Sequence, residues 1–227
     1  SYTAIRAPVD GIAGNRAAQI GQHVQPGQQL IAVAPAGHRL FVVANFKETQ
    51  LARMAPGRGA IVAADLSTPD CVERIFAGLA GMPPPALLVN NASRFAYDCL
   101  DDFSVDGWEA HMAANLRAPA LLTQAFAQAV PAGAGGLIVN LLDAKLAQPN
   151  PDFFTYTVSK MGLAGLTELA ARALAGRGIR VCGIAPSVTL VSGPQSRDNF
   201  EAVHRMNALS RGVTVEQVVA AMRFVIA

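Results

Sequence analysis

The stretch NLLDAKLAQPNPDFFTYTVSK, Asn140 to Lys160, decides how this chain is read. It follows the apolar run Leu137-Ile138-Val139 and ends in Tyr156-x-x-x-Lys160. A helix opening near Tyr156 sets the phenol and the ammonium one turn apart on one face. A fixed cation beside a phenol favours the phenolate, which makes a tyrosine usable as a proton donor near neutral pH. Asp143 precedes Tyr156 across a loop holding Pro149 and Pro151. That loop is long enough to bring Asp143, Tyr156 and Lys160 to one cleft. The Y-x-x-x-K spacing also arises by chance on helix surfaces, so the chemistry needs support from the rest of the chain.

Outward from this stretch, short apolar runs alternate with Ala- and Leu-rich helical patterns from Ala60 onward. Ala60–Ala64 is an apolar run ending in Asp65-Leu66. Ser67 or Thr68 is placed to cap a helix over Cys71–Leu79, with Asp70 in its first turn. Ala86–Val89 reads as a strand, followed by Asn90-Asn91-Ala92-Ser93. Trp108–Gln128 reads as one long helix containing Asn115, and Leu137–Asn140 as the next strand. Phe154–Ala175 is helical, Ile179–Ile184 is a strand, and Ala185-Pro186 follows it. Ser187–Phe200 reads as a loop, and Glu216–Ile226 as the last helix. Such alternation means a parallel sheet covered on both faces. Ligands of such sheets gather at the carboxyl ends of the strands, where Asp65, Asn90, Asp143 and Pro186 fall.

The totals agree with this. The 227 residues suffice for one large α/β domain or two small ones. Apolar residues make up 52% and charged residues 15%, which favours a sizeable core over disorder. A net charge of +2 gives no case for nucleic acid as a partner. Cys71, Cys99 and Cys182 are scattered and odd in number, which fits a reducing, cytoplasmic compartment and neither a disulfide framework nor a metal site. The four histidines show no ligand spacing. No apolar run nears the ~20 residues of a membrane span, and no signal peptide opens the sequence. Both ends of the sequence interrupt a pattern and read as cut.

Asp65-Leu66, the NNAS of Asn90–Ser93, Asn115 in NLRAP, Asp143, Tyr156-x-x-x-Lys160 and the IAPS of Ile184–Ser187 stand in one order. Together they resemble the short-chain dehydrogenase/reductase family, over residues 60–227. A serine occupies the place of Asp143 in most of that family. The aspartate, with Phe95, points to the pteridine-reductase, or dihydromonapterin-reductase-like, branch. The resemblance implies a Rossmann-type doubly wound parallel sheet, NADP as cofactor with NAD not excluded, and a small-molecule substrate, a pterin. It makes Tyr156 the proton donor and gives Lys160 two tasks, lowering the tyrosine pKa and holding the nicotinamide ribose. Asn115 positions a water, and Asp143 assists protonation or orients the pterin. Phe95 stacks on the flat ring. Asn90, Asn91, Ala92 and Ser93 line the cofactor, with Asp65 and Leu66 against its adenine and Pro186 near its nicotinamide. Ser187 stands where glycine is usual. Blander readings exist for three of these: Phe95 as packing, Asn115 as a bridge between buried backbone groups, and Asp65 as a helix-start residue. Homodimers or homotetramers through helices 108–128 and 154–175 are implied as well.

Residues 1–59 have another texture, with short β-type runs broken by Gly and Pro. Ala4–Gly11 reads as a strand into a turn, and Gln29–Ala34 and Arg39–Ala44 as strands. Phe46–Met54 reads as a short helix stopped by Pro56-Gly57. IRAPVDGIAGNRAAQIGQHVQPGQQLIAVAP is similar to half of the lipoyl-like module of multidrug-efflux periplasmic adaptors, and LFVVANFKETQLARMAPGRGA to the start of their β-barrel. The expected architecture is therefore a β-hairpin segment, 1–59, followed by an incomplete Rossmann-type domain, 60–227. A glycine-rich turn that holds a dinucleotide pyrophosphate at a helix N-terminus is not found. Gly11-x-x-Gly14 has no strand-to-helix context. The family's final strand, after the last helix, is missing too. The unit Arg39–Ala44, Phe46–Met54 and Ala60–Ala64 has a strand–helix–strand pattern suited to the vacant part of the sheet. The alternative to a reductase is a non-enzymatic efflux-adaptor fragment, or a hybrid carrying a relic reductase scaffold.

Overall fold

The computed structural model describes residues 11–14, 32–35, 62, 64–192, 195–207 and 209–227. The chain divides into two compact units, Ser1–Leu40 and Phe41–Ala227. In the first, β1 (Gly11–Gly14) and β2 (Ala32–Pro35) pair antiparallel, with Gly11 opposite Pro35. Gly11 and Gly14 are thus the two ends of a strand. The expected strand Arg39–Ala44 and helix Phe46–Met54 lie outside the described residues. Of the run 60–64 only Val62 and Ala64 are described, and neither belongs to a strand.

The second unit is built on three parallel strands, β3 (Leu87–Asn90), β4 (Gly136–Leu141) and β5 (Ile179–Ile184), in the order β3-β4-β5. Asn90 stands opposite Asn140, and Asn140 opposite Gly183. The helices are α1 (Cys71–Ala77), α2 (Val105–Met112), α3 (Ala118–Ala129), α4 (Phe154–Leu174), α5 (Arg197–His204) and α6 (Val215–Ile226). Alternate strand residues feed two cores. Leu88, Ile138 and Val181 pack with Ile75 of α1, Leu122 and Phe126 of α3 and Ala170 of α4. Leu87, Val89, Leu137 and Val139 pack on the other face, against Met222, Val225 and Ile226 of α6. Apolar strands buried on both faces give a parallel α/β sheet of the Rossmann type, as the alternation predicts.

Three elements differ from the reading of the sequence. The helix expected over 108–128 starts earlier, at Val105, where the Ser104 hydroxyl accepts from Gly107 N at 3.0 Å. It is then interrupted by a wide, π-type turn over Ala113–Arg117. Pro119 accounts for the interruption, because it has no N–H for the carbonyl of Asn115 four residues back. The segment 187–200 ends in a helix, α5, capped by Ser196, whose hydroxyl accepts from Asn199 N at 3.2 Å. Neither Ser67 nor Thr68 caps α1; Asp70 precedes it without a side-chain bond. Among the described residues no helix is long and apolar enough to cross a membrane.

Candidate active site

The carboxyl ends of β3 and β4 are fixed by a buried polar ladder. Asn90 Nδ2 donates to Asn140 Oδ1 at 2.8 Å, and Asn140 Nδ2 donates to Thr167 Oγ1 of α4 at 2.8 Å. Asn90 is therefore committed to holding two strand ends level. Past Leu141 the chain turns over a short 3-10 segment, Ala144–Ala147, and Asp143 caps it by accepting from Lys145 N at 2.8 Å. The other carboxylate oxygen of Asp143 accepts from the Tyr156 hydroxyl at 2.6 Å. The loop through Pro149 and Pro151 thus closes Asp143 onto the first turn of α4.

Lys160, one turn along α4, is buried and donates to the Leu141 carbonyl at 2.7 Å. Its ammonium lies 5.8 Å from the centroid of the Tyr156 ring. Burial lowers the lysine pKa to about 8, against a smaller upward pull from Asp143. For Tyr156 the structure departs from the expected lowering. Burial pushes its pKa up, and the Asp143 carboxylate, by charge and by its hydrogen bond, pushes it further. Lys160 is turned to a carbonyl, while the phenol faces an anion that favours its protonated form. The two groups Tyr156 and Asp143 act as one unit, holding a proton between oxygens 2.6 Å apart.

Phe95 lies against this unit. Its ring meets Tyr156 edge-on at 4.8 Å and stacks on Phe153 at 4.3 Å, and it stays 46% exposed. Phe153 adopts φ 53° and ψ 53°, the left-handed region that a bulky side chain rarely enters. Asn115 is fully buried in the wide turn. Its Oδ1 accepts from Arg94 N at 2.7 Å, and its Nδ2 donates to the Arg94 carbonyl and to Ser159 Oγ, both at 2.9 Å. The side chain is thereby occupied in bridging.

The remaining expected residues divide by exposure. Asn91 and Ser93 are exposed on the segment that leaves β3, whereas Ala92 packs on the core. Leu66 is buried in that core with Cys71 and Ile75, so only its backbone faces outward chemistry. Asp65 forms a local turn, its carboxylate accepting from Ser67 N at 2.8 Å and Ser67 Oγ at 2.7 Å, which lowers its pKa. Pro186 accepts from Ala144 N at 3.0 Å, tying the end of β5 to the Asp143 turn. Sequence reasoning missed Asn140, Ser159 and Thr167. For the two on α4 a signal was there: Thr155 and Ser159 stand four residues apart and Thr167 eight further on, polar residues on one buried face of the helix.

A family model described as short chain dehydrogenase matches residues 26–220. The chain belongs to the short-chain dehydrogenase family. It is 36% identical over 139 residues to a (3R)-3-hydroxyacyl-CoA dehydrogenase of Canis lupus familiaris, covering 59% of this chain and 53% of that one. The crystal structure of FolM alternative dihydrofolate reductase 1 from Brucella canis, complexed with NADP, is similar at a TM-score of 0.67 and 35% identity. That likeness covers 71% of this chain and 64% of the Brucella one. The chain thus spans about half the length of the canine relative. Over 64 residues, 28% of this short-chain dehydrogenase, the chain is 45% identical to the probable multidrug resistance protein EmrK of Escherichia coli, of which it covers 16%.

Proposed function

We propose that this short-chain dehydrogenase is an NADP-dependent reductase of a pteridine, a dihydropterin. The observation that carries the reading is the Asp143–Tyr156 hydrogen bond at 2.6 Å beside the exposed Phe95 ring. A carboxylate there, with a flat aromatic platform, suits a planar ring that carries nitrogen to be protonated. The similarity to the Brucella protein, named a dihydrofolate reductase and bound to NADP, supports both halves of the proposal.

The residues present fit the nicotinamide end of such a cofactor. Lys160 carries three ammonium protons, and among the described residues it has one acceptor, the Leu141 carbonyl. A ribose supplies hydroxyl oxygens for the others, and the exposed Asn91 and Ser93 lie on the same carboxyl edge of the sheet. When bound, NADPH supplies the hydride. Tyr156 hands its proton to the reduced ring, and Asp143 holds the phenol in place and shares the proton. Phe95 orients the ring by stacking. Asn115 holds the Arg94 backbone, and with it Phe95, against α4.

The compartment that goes with this reading is a reducing cytoplasm, from the odd and scattered cysteines of the sequence. Exposed Met161 and Leu169 on α4 suit a homodimer or homotetramer interface. The similarity to EmrK favours a second reading, a hybrid whose reductase part is a relic scaffold.

Isothermal titration with NADPH separates the two. Micromolar binding supports the reductase, and no binding at millimolar levels removes it. With binding in hand, Tyr156→Phe is expected to cut NADPH oxidation with a 7,8-dihydropterin by about 10²-fold or more. Unchanged oxidation in that variant makes the segment a relic.

A further inference from the structure

The first turn of α4 has no cap of its own. Phe153 precedes it in a left-handed conformation and offers no side-chain acceptor. Helix N–H groups left bare in a buried place cost free energy, so a partner must come from elsewhere. It comes from the segment after β3. The Asp98 carbonyl accepts from Phe154 N at 3.2 Å, and Asp98 Oδ1 accepts from Thr155 N at 3.0 Å. A carboxylate at a helix N-terminus also meets the positive end of the helix dipole.

The network extends one residue further. The Thr155 hydroxyl donates to Asp98 Oδ2 and lies 2.7 Å from His111 Nδ1. His111, buried on α2, accepts through Nε2 from Ala96 N at 3.3 Å. These bonds fix the proton positions. Nε2 accepts and so carries no proton, which leaves the imidazole proton on Nδ1. Thr155 Oγ1 gives its only proton to Asp98 and accepts from His111. Every donor in the chain His111, Thr155, Asp98 points the same way. Its two ends grip backbone on either side of the site: Ala96 follows Phe95, and Thr155 precedes Tyr156.

We infer that Asp98, Thr155 and His111 are positioning residues, capping α4 from outside it and setting where Tyr156 stands relative to Phe95. The consequence for turnover rests on the reductase reading of Tyr156; the consequence for geometry does not. No member bonds to the phenol oxygen; Asp98 and Thr155 act through the segment they hold, and His111 in addition meets the Tyr156 ring edge-on, centroids 6.3 Å apart.

The test compares Thr155→Val, which keeps the shape and removes the hydroxyl, with Thr155→Ser, which restores it. Chains carrying 13Cζ-labelled tyrosine give three signals at most, from Tyr2, Tyr97 and Tyr156, and Tyr156→Phe assigns the last. The Tyr156 signal is expected to move in the valine variant and to return in the serine variant. Turnover with NADPH and a 7,8-dihydropterin, read in parallel, is expected to lose about 10²-fold in kcat in the valine variant, with KM for NADPH little changed. The serine variant is expected to recover most of it. A Tyr156 signal unmoved by Thr155→Val overturns the inference. A signal that moves and returns, in a chain without turnover, upholds it and removes the reductase reading alone. Should the valine variant not fold, Asp98→Asn gives the same comparison, since it keeps an acceptor for Thr155 N and takes away the one for the hydroxyl.

Discussion

Lys160 shows how one residue carries opposite demands. Its ammonium is buried, and burial lowers its pKa from the ordinary 10.5 to about 8. The unfolded chain therefore binds more protons than the folded chain between those values. Stability rises with pH wherever that is so. Tyr156 acts in the other direction, because its raised pKa lets the folded chain keep a proton that the unfolded chain loses above its ordinary value of 10.0. The window from pH 8 to 10 isolates the lysine. Across it the wild-type chain is expected to gain roughly 2 kcal/mol relative to Lys160→Met in urea unfolding. Parallel curves for the two proteins would place Lys160 in water rather than in the core. The buried charge is tolerable in a site that a hydroxyl-bearing ligand completes, since such a ligand supplies acceptors to the ammonium donors beyond the one bonded to Leu141.

Among elements, the ends of β3 and β4 and the body of α4 depend on one asparagine. Asn140 accepts from Asn90 and donates to Thr167, both at 2.8 Å, in the middle of the sheet. Asn140→Leu keeps the volume and leaves Asn90 Nδ2 without its bond in a buried place. Such a loss costs about 1–3 kcal/mol. The midpoint of urea unfolding is expected to fall accordingly, with an unchanged slope. A double variant, Asn90→Leu with Asn140→Leu, is expected to recover part of the loss, because it removes both the bare donor and its partner. The elements themselves were largely legible. The runs Leu137–Asn140 and Ile179–Ile184 and the helix from Phe154 announced themselves by apolar pattern and by Gly at their borders. What escaped was polar detail inside apolar elements. Asn140 reads as the end of a strand, and only the register with Asn90 shows it to be a cross-link. The wide turn at Asn115 was missed although Pro119 marks it, because a proline near a helix start also suits an unbroken pattern. The helix α5 was missed because it is short and mostly polar, with Phe200, Ala202 and Val203 its three apolar residues out of eight.

At the scale of the whole chain, the site is unequal in its two halves. Asp143, Tyr156, Lys160 and Phe95 converge through hydrogen bonds and ring contacts, and these residues were legible because each belongs to an ordered motif. The direction of the tyrosine pKa was not legible, since it depends on which neighbour the phenol faces. For the dinucleotide of the proposed reading, these 227 residues offer no glycine-rich turn between a strand and a helix. A family member that holds both halves of its cofactor gains much of its affinity from the pyrophosphate at a helix N-terminus. On the proposed reading the grip falls to Lys160, Tyr156 and the edge around Asn91 and Ser93. Affinity is then expected to come chiefly from the nicotinamide riboside end. Reduced nicotinamide mononucleotide, which lacks the adenylate, is expected to bind within about tenfold of NADPH, a difference below ~1.4 kcal/mol. Competition titration of the two against one protein sample measures this directly. A preference for NADPH of about 10³-fold or more would mean that residues elsewhere in the chain seize the adenine and its phosphates after all.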